Sequence, residues 1–157
     1  MTLQNQEKFK ILLKQLNMVD HLDSDVVEQG ELTRIDVSKK LRAWTFHIAL
    51  PHFLKYEDYA VFTHAMQETF KHIAKVDWTF EIKDTSQQDE YILKYFNECI
   101  DQTHLSPKVK GQLKQKRMMM SGSVVKILVQ NDVERDHFDK SCNGSLVKAL
   151  QRCGFDI

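Results

Sequence analysis

The stretch RAWTFHIAL, residues 42–50, sets Trp44, Phe46, Ile48 and Leu50 at every second position, with Thr45, His47 and Ala49 between them. VDWTFEIK, residues 76–83, repeats the alternation with Val76, Trp78, Phe80 and Ile82. A two-residue apolar period is that of a strand with one buried face. Between the two, Tyr59, Phe62, Met66, Phe70 and Ile73 recur at three- and four-residue spacing, which predicts a helix from about Glu57. ELTRIDV, joined to the first alternation by the polar turn SKK, reads as a further strand, and Pro51 reads as the end of RAWTFHIAL. Shorter helices are expected near 5–16 and 22–29. The first half is therefore an α-α-β-β-α-β unit, and the fold class is α+β.

The second half follows the same order. QDEYILKYFNECID is helical, with Tyr91, Ile92, Tyr95, Phe96 and Cys99 on one face. A short helix at 107–111 follows the SP pair, since proline suits a first turn. LKQKRMMM and SVVKILVQ read as strands about a turn at Ser121–Gly122, with the three methionines pointing alternately. A closing helix lies in NDVERDHFDKSCNGSLVKALQRCG, with a break near Asn143–Gly144. The strands RAWTFHIAL and SVVKILVQ begin about 80 residues apart, so duplication of a small α/β unit is one reading. A single domain with a continuous mixed sheet is the other. On the first reading the domains are 1–83 and 87–157, parted by the polar KDTSQQD. Gly154 caps the last helix and FDI looks like the start of a strand, so the second unit is expected to be truncated before its last strand.

Charge narrows the function. The 22 basic and 22 acidic side chains cancel, which argues against a dedicated nucleic-acid coat protein. Locally the balance swings. Residues 84–105 hold Asp84, Asp89, Glu90, Glu98 and Asp101 against Lys94, whereas SPKVKGQLKQKR, residues 106–117, holds Lys108, Lys110, Lys114, Lys116 and Arg117 with no acid. Such a cluster is the simplest footprint of a phosphate binder, and equally of a face for an acidic partner or of plain solvated surface. Val109 and Leu113 can anchor the segment while the charges stand outward. No aromatic lies among them to stack a base.

No catalytic, cofactor or metal site assembles from the strings. His64 and His72, eight apart, lack the HExxH arrangement, and His47 falls on the polar side of its strand. Asp132, Glu134, Asp136 and Asp139 suit a helix start, where acids meet unpaired N–H groups. Cys99, Cys142 and Cys153 form neither a CxxC knuckle nor an even disulfide set, and Cys99 reads as a buried small hydrophobe. Glycine-rich phosphate loops and nucleophile elbows are lacking. With no apolar run near 18 residues and no signal-peptide core, a cytoplasmic chain without membrane contact is expected.

Small α/β units in this order are similar to RNA-binding modules of the KH type, which clamp nucleotides with a G-x-x-G loop. The candidate loops NMVDHLD and CIDQTHLSPKVK carry no glycine. GELTRIDVSKKLRAWTFHIALP, YFNECIDQTHLSPKVKGQLKQKR and FDKSCNGSLVKALQRCGFDI together resemble the extreme N-terminal region of PolC-type DNA polymerase III alpha subunits, staphylococcal ones above all. The resemblance runs over the whole chain. It implies a DNA-directed polymerase with a 3′–5′ exonuclease as parent, with Mg²⁺ in its catalytic modules. Those modules follow this region in the family, so none of their carboxylates carries over and this region by itself is expected to be inactive. The resemblance further implies that residues 1–83 are similar to the KH-like alpha-binding domain of the clamp-loader tau subunit. Contacts with replisome proteins are then expected. Weak DNA contact through the 108–117 basic face is the alternative.

Overall fold

A computed structural model of the chain describes residues 2–142 and 144–157. It divides into two compact units, residues 1–86 and 87–157.

The first unit runs α1 (Thr2–Gln15), α2 (Ser24–Gln29), β1 (Glu31–Ser38), β2 (Ala43–His52), α3 (Tyr56–Phe70) and β3 (Lys75–Asp84). Helix α1 buries Phe9, Leu12 and Leu13, with Leu16, just past its end, buried too. It stops where Asn17 takes φ 57°, with the Met18 N–H donating to the Leu13 carbonyl. Asparagine tolerates that left-handed position better than most residues, which is why the helix closes there.

The sheet order is β1-β2-β3, with β1 antiparallel to β2 and β2 parallel to β3. The register sets Phe46 beside Trp78, Ile48 beside Phe80 and Leu50 beside Ile82, so both alternations present their apolar sides to one face. Helix α3 supplies Tyr59, Phe62, Met66 and Phe70 to the core. Phe62 meets Trp78 edge-on at 5.8 Å, and Tyr59 meets Phe80 edge-on at 5.8 Å. Each large side chain so removed from water contributes about 1.5–3 kcal/mol, so this aromatic layer dominates the stability of the unit.

Two details differ from expectation. Strand β2 continues through Pro51 to His52, because its pairing with β1 ends at Ala49 and the missing N–H then faces no partner strand on that side. Ile73 lies past the end of α3 and is 60% exposed.

The second unit runs α4 (Gln88–Asp101), α5 (Pro107–Lys114), β4 (Met118–Ser121), β5 (Val124–Ile127), α6 (Asp132–Cys142) and α7 (Ser145–Arg152). Its core is mainly helical. Ile92, Tyr95, Phe96, Cys99 and Ile100 of α4 are buried, as are Leu146, Ala149 and Leu150 of α7. β4 and β5 form an antiparallel hairpin only four residue pairs long. Residues 113–117 are not strand: Leu113 is buried by the last turn of α5, and pairing starts at Met118. Val129 likewise falls beyond β5. The closing helix is two helices, with Gly144 at φ 77° before α7, a backbone that favours glycine. Asn143, the other residue of the expected break, lies outside the described residues. Residues 155–157 do not begin a strand. The Phe155 ring is buried edge-on against Tyr95 at 5.4 Å, and the Asp156 N–H donates to Gln88 Oε1. Burying that ring draws the segment into the helical core. Among the described residues no helix is long and apolar enough to cross a membrane.

Candidate functional site

Segment 106–117 is shaped by its own cap. The Ser106 hydroxyl accepts from the Val109 N–H at 3.3 Å, and Pro107 occupies the first turn. Val109 and Leu113, one turn apart, point into the core. Lys108, Lys110 and Lys114 therefore take the remaining faces of α5, while Lys116 and Arg117 follow the helix.

Much of this charge is already met. The Lys114 ammonium lies 2.6 Å from Asp101 Oδ1, and that of Lys110 donates to the Asp101 carbonyl at 3.1 Å. The Lys116 ammonium reaches Glu134 Oε1 at 2.6 Å and sits 6.0 Å from the centre of the Phe138 ring. Its hydrogen bond holds the Glu134 carboxyl below the usual range despite some burial. Burial above all, with Asp101 nearby, raises Glu98 of α4 against the opposing charge of Lys114. Among the described residues Lys108 and Arg117 have no ion pair.

Lys116 and Glu134 lie in an open groove of about 700 Å³ between α5 and α6, with Gln112, Asn131, His137 and Phe138. The His137 ring nitrogen is 3.2 Å from Gln112 Oε1. The acidic cluster 132–139 serves the start of α6: the Asn131 side chain accepts from the Glu134 N–H at 2.9 Å, and Asp132 and Asp136 flank Arg135. The groove thus offers both signs of charge with amides and one aromatic edge, which suits a protein surface better than a run of phosphates.

Sequence reasoning missed one cluster. Asp23, Asp25 and His52 place their ligand-type atoms within 4.8 Å of one another. His52 Nε2 is 2.5 Å from Asp25 Oδ2, its Nδ1 is 2.9 Å from the Phe53 carbonyl, and Lys55 lies 3.8 Å from Asp23. Burial lowers the His52 pKa, but the Phe53 carbonyl and Asp25 outweigh it and raise it overall. Asp25 is correspondingly lowered by His52, against a desolvation effect. Nothing local in D-S-D or P-H announces the meeting, which depends on α2 lying beside the end of β2. Two carboxylates and an imidazole are a poor set for Mg²⁺, which prefers oxygen ligands in near-octahedral order. The remaining histidines are dispersed. His47 holds Asp36 at 2.7 Å, and His64 and His72 are exposed on either side of Glu68.

Comparison with known proteins places the chain. Residues 8–80 match the family model described as DNA polymerase III polC-type N-terminus I, and residues 94–157 match DNA polymerase III polC-type N-terminus II. The whole chain is 64% identical to DNA polymerase III PolC-type of Staphylococcus epidermidis, 62% to that of Staphylococcus haemolyticus and 57% to that of Staphylococcus aureus. It spans 11% of the length of each of these relatives. No solved structure matches. With both matches in chain order and separated near the division of the two units, the chain belongs to the PolC-type DNA polymerase III family and carries that family's N-terminal regions I and II.

Proposed function

We propose that this region is a non-catalytic contact module of a cytoplasmic replicative DNA polymerase, holding replisome proteins while the polymerase and exonuclease chemistry, with its Mg²⁺, belongs to other parts of the longer protein. The relatives' name and the small share of their length covered support the parentage. The observation that carries the contact role is the internal engagement of 106–117, where Lys114 and Lys116 are ion-paired to Asp101 and Glu134 and Lys110 donates to the Asp101 carbonyl. A phosphate track needs cations free to release counterions, and here three of five would first have to break bonds within the chain.

Two measurements test this. The chain is titrated with labelled single- and double-stranded DNA at ~50 and ~200 mM salt, a range over which phosphate-driven binding falls steeply. Binding is expected to be weak and lost at the higher salt. Separately, the full-length polymerase and a form lacking residues 1–157 are compared in primer extension alone and with clamp-loader proteins added. The shortened enzyme should retain extension and lose response to the added proteins. Tight, salt-resistant DNA binding that survives Lys114→Glu and Lys116→Glu would overturn the reading. Lys108 and Arg117 favour a second, lesser role as auxiliary DNA contacts, and weak binding abolished by changing those two would support it.

A further inference from the structure

The first unit carries an apolar groove that its own elements leave open. Cross-strand pairing sets Ile35 opposite Phe46 and Val37 opposite Trp44, so these residues share the helix-covered face of the sheet. Their neighbours Arg34, Asp36, Thr45 and His47 take the opposite face, where Asp36 binds His47. Helix α1 and the end of α3 flank the paired apolar residues without closing over them. The result is a groove of about 410 Å³ whose polar lining, among the described residues, is Lys8 and Gln15. Ile11 is 57% exposed, Ile35 41% and Ile73 60%. Isolated exposed aliphatics are ordinary, but several lining one concavity mark an interaction surface.

The rim is basic. The Lys75 N–H donates to the Arg42 carbonyl at 2.9 Å, which sets the turn after β1 beside the segment between α3 and β3. Residues 37–43 and 71–76 contribute Lys39, Lys40, Arg42, Lys71 and Lys75 and no acid. Lys71 pairs with Glu68, and Glu7, one turn before Ile11, is the acid on the α1 flank. Lys8, Lys39, Lys40, Arg42 and Lys75 have no ion pair among the described residues. The turn is preorganised, with the Leu41 N–H donating to Ser38 Oγ.

We propose that this groove docks an acidic amphipathic segment of a partner protein, with its apolar side chains between Ile11 and Ile73 and its carboxylates against Lys39, Lys40 and Arg42. The proposal rests on the contact-module reading and gives that module a site and a ligand chemistry. The burial of the groove's aromatic rings decides against a nucleic acid, because bases are held by stacking on open aromatic faces and here Phe46 and Phe70 are buried and Trp44 is only partly open. A helix laid in a groove through residues at three- and four-residue spacing is an established recognition mode.

The test uses the 157-residue chain and random 16-residue peptides displayed on phage. Enriched peptides are synthesised and titrated by the fluorescence of Trp44, with Trp44→Phe as the control for Trp78. The selected peptides should combine acidic residues with large apolar ones at helical spacing. Ile73→Glu and Ile11→Glu should each weaken binding more than tenfold, Ile73→Leu should leave it intact, and Lys39→Glu with Lys40→Glu should weaken it several-fold. Both isoleucines are more than half exposed, so these variants should keep the parent melting temperature. The proposal falls if no peptide is enriched, if the enriched ones are neutral or basic, or if Ile73→Glu leaves binding unchanged. It falls equally if a 20-nucleotide single strand and no peptide perturbs Trp44, or if light scattering shows the groove filled by a second copy of the chain. Deleting residues 1–157 could still abolish replisome response in these cases, which keeps failure of the groove distinct from failure of the module.

Discussion

Lys116 and Glu134 join the segment that follows α5 to the first turn of α6 through a 2.6 Å ion pair, with their side chains 17% and 22% exposed. Lys116, one of the five cations of the 106–117 run, is thus held within the second unit. Lys116→Glu should lower the melting temperature of the second unit, and the exchange Lys116→Glu with Glu134→Lys should recover most of the loss. Thermal unfolding of the four proteins in a double-mutant cycle measures this. No coupling between the two positions would mean that the pair is solvated surface.

The cysteines should separate by reactivity. Cys99 and Cys153 are buried with their sulfurs 3.7 Å apart, and the hydrogen bond between them, then burial, pushes the Cys99 thiol well above its ordinary range. Thiolate is the reactive form. A thiol reagent should modify Cys142 alone in the native chain, and slowly, since burial also raises its pKa. Cys99 and Cys153 should react on unfolding. Mass spectrometry of labelled peptides reads the order.

Gly30 closes α2 where no side chain fits. A Cβ there would lie 2.4 and 2.6 Å from ring atoms of Phe9 and 2.6 Å from the Val26 carbonyl oxygen. Since the backbone at Gly30 has an ordinary negative φ, the demand for glycine is purely one of space. Gly30→Ala should therefore destabilise the first unit by roughly 1–3 kcal/mol, the usual cost of overpacking. Denaturant unfolding measures it, and Phe9→Leu in the same background should return part of the loss.

His52 makes stability depend on pH. Its folded pKa lies above the free value of about 6.5. The stabilisation from its protonated form is then complete below about pH 6.5 and disappears as pH rises through the folded value. Asp25, lowered in the fold, contributes above its free value of about 3.9 and loses that contribution as pH falls through the folded one. The pair is fully effective between those limits. The difference in melting temperature between the chain and its His52→Gln variant should be larger at pH 5.5 than at pH 8.5. Equal differences at both would assign His52 a packing role only.

The aromatic layer of the first unit should suffice for independent folding. A fragment of residues 1–86 should unfold cooperatively, and Phe62→Ala within it should cost about 3–5 kcal/mol. Circular dichroism in urea is the measurement.

What the residues disclose in advance depends on how local the cause is. The alternations at 42–50 and 76–83 and the spacing of Tyr59, Phe62 and Met66 are short-range patterns, and they appear in the fold as β2, β3 and α3. The order helix, helix, strand, strand, helix was also legible in the second half. Pro51 was misread because its tolerance depends on where β1 stops pairing, a fact of register. FDI was misread because the partners of Phe155 and Asp156 are Tyr95 and Gln88, more than 50 residues away. Separation along the chain, though shorter, also hid the engagement of Lys116 by Glu134 and of His52 by Asp25. Charge clustering can be counted along a chain, but neutralisation is a property of space.

Each unit draws its core from one uninterrupted stretch of chain, residues 1–86 and then 87–157. On the ribosome this sets a schedule. The parallel pairing of β2 with β3 cannot form until residues up to Asp84 have emerged, but it needs nothing after them. At ~5–20 residues per second of synthesis, the first unit can close seconds before the second is fully made. In relatives where this region is 11% of the protein, the order matters. Its exposed strand edges and aromatic residues are put away early, so an N-terminus that must wait through a long translation does so as a folded body.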